Sequence, residues 1–281
     1  LNIIDGHTNR THDRIRLSMP FSRRKSAQAL VGAACAHSAT GFALNGIDLA
    51  SPTVFCMSIN DRPKELAMPV DVFSSHRHDD AMRLDPQRAA IIVIDMVNEF
   101  CKPGGAMVLP GYETLVAPQL AVIEAARAVG VPVIWVHDTH RAGMRREREW
   151  VKRTPHCLEG TWGPEIIEDL GARDDEIHLI KRRYSAFFQT DLDLTLQDMQ
   201  VDQLVIFGVV TNICVRSTVH DAFFQGYEVV VPSDCCAATG PREQESSLYD
   251  IATHFGVVSD SASVVAALRD GASLQPTEVA A

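Results

Sequence analysis

No stretch of this 281-residue chain approaches the roughly 20 consecutive apolar residues that span a bilayer, so a membrane helix is not expected. Basic charge is scarce as well. The 26 Lys and Arg against 36 Asp and Glu leave a net charge of −10, where a nucleic-acid partner would call for a basic face. The seven cysteines (35, 56, 101, 157, 214, 235 and 236) are odd in number, scattered, and contain no Cys-x-x-Cys pair. Adjacent Cys235 and Cys236 are badly placed to bridge each other. That pattern argues against a disulfide framework and suits a reducing, cytoplasmic setting. Internal repeats and low-complexity tracts are absent too. What remains is 46% apolar, enough for one large core.

Residues 1–67 carry no sustained helix or strand period. They are expected to be disordered, or to lie upstream of a natural start near Met68. Arg23-Arg24-Lys25 ahead of the small-residue stretch Ala27–Ala43 offers a signal or transit peptide as the alternative, although that stretch is poor in Leu. Residues 68–87 are polar and read as an extended arm, with His76 and His78 in a solvated loop rather than on a metal. Residues 271–281 read as a flexible tail.

Between them, strand and helix patterns alternate. Strands are predicted at 89–95, 131–137, 177–181, 203–208, 227–232 and 255–259. Helices are predicted at 113–129, 164–170, 190–199, 212–225, 242–253 and 261–269. The strand runs are rich in Val and Ile without alternation, as in strands covered on both faces of a parallel sheet. Gly130 and Gly226 follow helices as C-terminal caps do. The expected fold is an α/β, doubly wound three-layer sandwich over 88–270, with a mainly parallel six-stranded sheet.

Three strand ends carry chemistry. The run Leu204-Val-Ile-Phe-Gly208 breaks at its glycine, and the following segment puts Cys214 in the first turn of a predicted helix. Unpaired N–H groups and the helix dipole there favour a thiolate and offer donors to an oxyanion. Ala89–Ile94 leads into Asp95, and Ile177–Ile180 into Lys181. Ligands of an open parallel sheet sit beyond the carboxyl ends of its strands, so a base, a cation and a thiol can share one crevice. Taken singly, each has a plainer reading: a structural cysteine, an N-capping aspartate, a solvated lysine.

The segments Val93-Ile-Asp95-Met-Val-Asn-Glu-Phe100, Lys181-Arg-Arg-Tyr-Ser-Ala-Phe-Phe188 with Thr190-Asp-Leu192, and Gly208-Val-Val-Thr-Asn-Ile-Cys214-Val resemble the isochorismatase-like cysteine hydrolases. The resemblance runs from about Arg88 to Leu268, and in detail it is most similar to ureidoacrylate amidohydrolases. It implies the strand order 3-2-1-4-5-6, dimers or tetramers, and a catalytic set of Asp95, Lys181 and Cys214. It also implies a cis peptide at Val209–Val210 and an oxyanion site made by the N–H groups of Val210 and Cys214. The implied reaction is hydrolysis of a small amide or ureido substrate through a thioester, with release of ammonia. Asn98, Phe100, His140, Tyr184, Phe187 and Asn212 are candidates for the substrate wall, and Arg182 or Arg183 for a substrate carboxylate.

Rival readings remain. Vinyl ether hydrolysis needs a proton donor to carbon, and Cys214 counts against it. A nicotinamidase-like enzyme would hold a metal on Asp138, His140 and His156, residue types that suit zinc or iron. Asp138-Thr-His140 lacks the tryptophan of that pattern, so no metal or other cofactor is expected. A non-catalytic interaction domain would leave the three matched strand ends without a purpose.

Overall fold

The structure is a computed structural model that describes residues 82–274, 276 and 277. The expectations for residues 1–67, for His76 and His78, and for most of the arm lie outside the described residues.

The Val- and Ile-rich runs form strands because they can be covered on both sides. All six residues of β1 (Ala89–Ile94) are buried. Then come α1 (Asn98–Cys101), α2 (Glu113–Ala128), β2 (Val133–Asp138), β3 (Ile177–Lys181) and α3 (Leu192–Asp198). The second half holds β4 (Gln203–Val209), α4 (Arg216–Phe224), β5 (Glu228–Pro232) and β6 (Cys236–Ala237). It closes with α5 (Pro241–Asp250), β7 (Val257–Ser259) and α6 (Ser261–Asp270). The main sheet runs β3-β2-β1-β4-β5-β7, and every pairing in it is parallel. This is the expected order, with β7 as its sixth strand. The two-residue β6 is added beside Gly208 and Val209 at the end of β4. Helices flank the sheet as a three-layer sandwich, with α2 packed on α6 and α4 on the turn that follows α5.

Three helix expectations need correction. Segment 164–170 forms only a single tight turn, Glu168–Leu170. Its backbone is already engaged: the Asn98 N–H donates to Glu165 O, and Ile167 N–H to Met96 O. A segment stitched to its neighbour in this way cannot also close helical hydrogen bonds. The helix predicted from 212 opens as a wide π-type turn, Thr211–Val215, before α4 begins. The helix predicted to 253 ends at Asp250 and runs into a second such turn, Ile251–Phe255, so the last strand starts at 257 rather than 255.

Where the sequence places a free tail from 271, the first residues pack. Ser273 bridges Arg83, Leu274 N–H donates to Met82 O at 2.9 Å, and Leu84 and Leu274 are both buried. No helix among the described residues is long and apolar enough to cross a membrane.

Candidate active site

Four neighbouring strands end together. Asp138 and Lys181 are register partners at the last positions of β2 and β3, while Ile94 of β1 faces Gly208 of β4. Gly208 has φ +129°, and a Cβ there would lie 2.0 Å from the carbonyl oxygen of Ile94. Only glycine lets β4 approach β1 so closely. Past this contact, β1 turns sharply, Asp95 taking φ +53°, and β4 continues through a cis peptide at Val209–Val210 into the turn that carries Cys214.

These turns bring Asp95, Lys181 and Cys214 into contact. Lys181 Nζ lies 2.8 Å from Asp95 Oδ2, 3.2 Å from Asp138 Oδ1 and 3.7 Å from Cys214 Sγ. Lys181 and Asp95 are both wholly buried. Asp95 is ion-paired with Lys181 and also faces the Cys214 thiol, which places a proton acceptor directly beside the sulfur.

The electrostatics correct one expectation. Burial pushes the Cys214 thiol well above its ordinary pKa; Lys181 pulls it down, but Asp95 and Asp138 push it up again. This runs against the lowering expected from the turn's N–H groups. Burial also pushes the Asp95 carboxyl up, to about 6, against the pull of Lys181. Asp138 goes the other way. Burial opposes its ionisation, but Lys181, His140 and His156 more than offset this and hold it well below the carboxylate range.

A second group adjoins the first. His140 N–H donates to Cys157 O and Glu159 N–H to His140 O, so the chain returns beside its own start and carries His156 back to His140. The short turn Glu149–Val151 lowers Glu149 into the same place, with Trp150 edge-on to His140 at 5.5 Å. Donor atoms of Asp138, His140, Glu149 and His156 all lie within 4.8 Å of one another, and all four residues are buried. Both His140 ring nitrogens and Glu149 Oε1 make no hydrogen bond. His156 Nδ1–H donates to Thr154 O at 2.7 Å and Nε2 lies 3.4 Å from Asp138 Oδ2; burial lowers this imidazole's pKa, but Asp138 and Thr154 O raise it on balance. Two imidazoles and two carboxylates with buried, unsatisfied donor atoms fit a divalent metal. The expectation of a metal-free set had not counted Glu149, which lies in an aperiodic loop.

Residues 89–263 match the family of the isochorismatase domain, a stretch that covers more than half of the chain. The chain belongs to the isochorismatase family. It is 35% identical over 205 residues to the ureidoacrylate amidohydrolase RutB of Serratia proteamaculans (strain 568), covering 64% of this chain and 83% of that protein. A cysteine hydrolase from Pseudomonas syringae pv. phaseolicola 1448A has a similar structure, with TM-score 0.64 and 30% identity over 69% of this chain and 99% of that one. A pyrazinamidase/nicotinamidase from Streptococcus mutans UA159 aligns with TM-score 0.58 and 27% identity, over 60% and 99%. A cysteine-hydrolase type of amidohydrolase activity goes with this membership.

In this isochorismatase-family chain, a cavity of about 330 Å³ opens onto Cys214, Asp138, Glu149 and His156. Of the substrate-wall candidates, Phe100 and Tyr184 line it, as does Val210. The others are placed elsewhere. Asn98 donates its amide to Trp162 O, and Phe187 is buried against Tyr227. His140 sits behind the wall without exposure. Asn212 acts at one remove, clasping through two 3.1 Å hydrogen bonds the Thr239 that lines the cavity. Arg182 and Arg183 are spent on Glu159, Thr139 O and Glu147. The apolar wall of Met107, Val108 and Leu109 went unread because it comes from a loop without periodicity.

Proposed function

We propose that this chain is a cysteine-dependent amidohydrolase that cleaves the terminal C–N bond of a small amide or ureido compound. One observation carries this reading. A buried lysine is ion-paired with a buried carboxylate and lies 3.7 Å from a thiol that borders a ligand-sized cavity.

The chemistry follows from the protonation states. With the substrate carbonyl against Cys214, the thiol proton passes to Asp95 as sulfur bonds to carbon. Lys181 holds the site's charge in balance during this transfer. The N–H groups of Val210 and Cys214 receive the oxyanion. As the C–N bond breaks, Asp95 returns the proton to nitrogen and ammonia leaves. A simple amide then leaves a thioester on Cys214, and a ureido compound leaves a thiocarbamate. Water gives a proton to Asp95 and its oxygen to the acyl carbon; the C–S bond breaks and sulfur regains its proton. The likeness to a ureidoacrylate amidohydrolase supports the ureido class of substrate.

The test joins mutation to mass spectrometry. Cys214→Ala is expected to abolish ammonia release, and a quenched wild-type reaction to show the acyl group on Cys214. Asp95→Asn should lose several orders of magnitude, and adding it to Cys214→Ser should cost little more than the worse single change, since one catalytic unit is lost only once. A Cys214→Ala protein that still releases ammonia would end this reading.

A second reading rests on the four-residue cluster. Asp138, His140, Glu149 and His156 would hold a divalent zinc- or iron-type ion at the cavity wall beside Cys214. Such an ion would polarise a carbonyl or acidify a bound water, and the nicotinamidase likeness supports it. Elemental analysis of purified protein should then give about one metal per chain, and chelation should lower the thermal midpoint. Protein free of metal, with a midpoint indifferent to chelator and to added zinc, retires this reading and leaves the metal-free mechanism.

A further inference from the structure

Two histidines outside the catalytic crevice face each other. His137 of β2 is the register partner of Ile180 in β3, and His178 stands two residues before Ile180, on the same face of the sheet. Side chains alternate along β2, so His137 points away from the face that Asp138 serves. β3 is an edge strand; His178 is exposed and His137 half-buried, so solvent reaches the pair.

The near nitrogens, His137 Nε2 and His178 Nδ1, lie 2.9 Å apart. Both remote nitrogens are engaged: His137 Nδ1 lies 2.9 Å from Pro164 O, and His178 Nε2 lies 3.0 Å from Arg173 O. A carbonyl oxygen only accepts, so each of these remote nitrogens carries a hydrogen. A neutral imidazole has one N–H, and each ring has spent it. Two lone pairs therefore meet between β2 and β3, where they repel unless a Lewis acid joins them.

The geometry says which acid suits. Two nitrogens at about 2.0–2.1 Å from one ion lie about 2.9 Å apart in adjacent positions of a square-planar or octahedral shell, but about 3.3 Å apart in a tetrahedral one. Imidazoles in a tetragonal arrangement suit nickel or copper. A metal-bound histidine commonly donates its other N–H to a backbone carbonyl, which fixes tautomer and ring orientation. Both rings do so here. The exposed side of His178 lets water fill the remaining positions. A third proton would also bridge the nitrogens, and the experiment below separates the two.

We propose that His137 Nε2 and His178 Nδ1 form a site for a divalent cation of the nickel or copper type. It is separate from the cluster of Asp138, His140, Glu149 and His156, and it does not depend on the amidohydrolase reading. An ion held there ties the edge strand β3 to β2 beside the register pair Asp138 and Lys181.

Titration calorimetry with Ni²⁺ tests this on the full-length, untagged chain. Wild type is compared with His178→Ala, whose exposed side chain can be lost without disturbing the core, and with His137→Gln, which keeps an amide donor for Pro164 O. The four-residue cluster and all other histidines are common to the three proteins and cancel in the difference. Wild type should bind about one Ni²⁺ per chain more than either variant. Equal uptake by wild type and His178→Ala overturns the proposal and leaves a bridging proton as the link. Loss of the equivalent in His178→Ala but not in His137→Gln overturns it too, since His178 would then bind without its partner.

Discussion

In the proposed mechanism the pH dependence follows Asp95, whose carboxyl burial pushes up to about 6. Asp95 can take the Cys214 proton only when ionised, so kcat/KM should rise with pH and level off above a midpoint near 6. Below that midpoint the base is occupied. A midpoint at the ordinary aspartate value of about 4 would mean that Lys181 offsets burial in full, and the pH profile of the free enzyme decides between them. At this scale the sequence was readable where a residue stands at the end of a strand. Asp95, Lys181 and Cys214 are visible from Val- and Ile-rich runs that stop on a polar group. Glu149 was hidden because nothing periodic leads up to it. The thiol's pKa was misjudged for another reason: burial and two carboxylates act on it, and neither can be seen in the local sequence.

At the scale of elements, the approach of β4 to β1 decides whether base and nucleophile meet. Gly208→Ala would put a methyl group into the Ile94 carbonyl and force an L residue to φ +129°. Backbone strain alone costs about 1–3 kcal/mol, and the overlap adds to it. The thermal midpoint should fall, and kcat at a temperature where the protein is still folded should fall at least tenfold. An unchanged midpoint and kcat would show that the strand ends can part without loss. The strands themselves were legible because they are buried on both faces. Segment 164–170 was not, since it has the composition of a helix but gives its backbone hydrogen bonds to Met96–Asn98. The two π-type turns follow from tertiary packing, the first against β4, α4 and α5 and the second against α4, α5 and β7, which a helical repeat does not report.

For the molecule as a whole, the contact between residues 82–84 and 273–274 closes the chain on itself. Leu274 is fully buried, so Leu274→Ala should cost about 2–5 kcal/mol, read as a lower midpoint in urea or heat. A midpoint within error of wild type would show the clasp to be an ornament of the fold.

The strand order has a consequence for the nascent chain. Lys181, Asp138, Asp95 and Cys214 come from β3, β2, β1 and the turn after β4, four neighbours in space that are drawn from more than a third of the chain. Contacts between such distant residues form only after large loops have closed. A molecule that has made β1 to β3 but not β4 owns a base and a cation with no thiol, and one with β4 undocked owns a thiol with no base. On the proposed mechanism neither partial assembly would act on an amide, and reactivity would begin only once β4 and the strands before it have all docked.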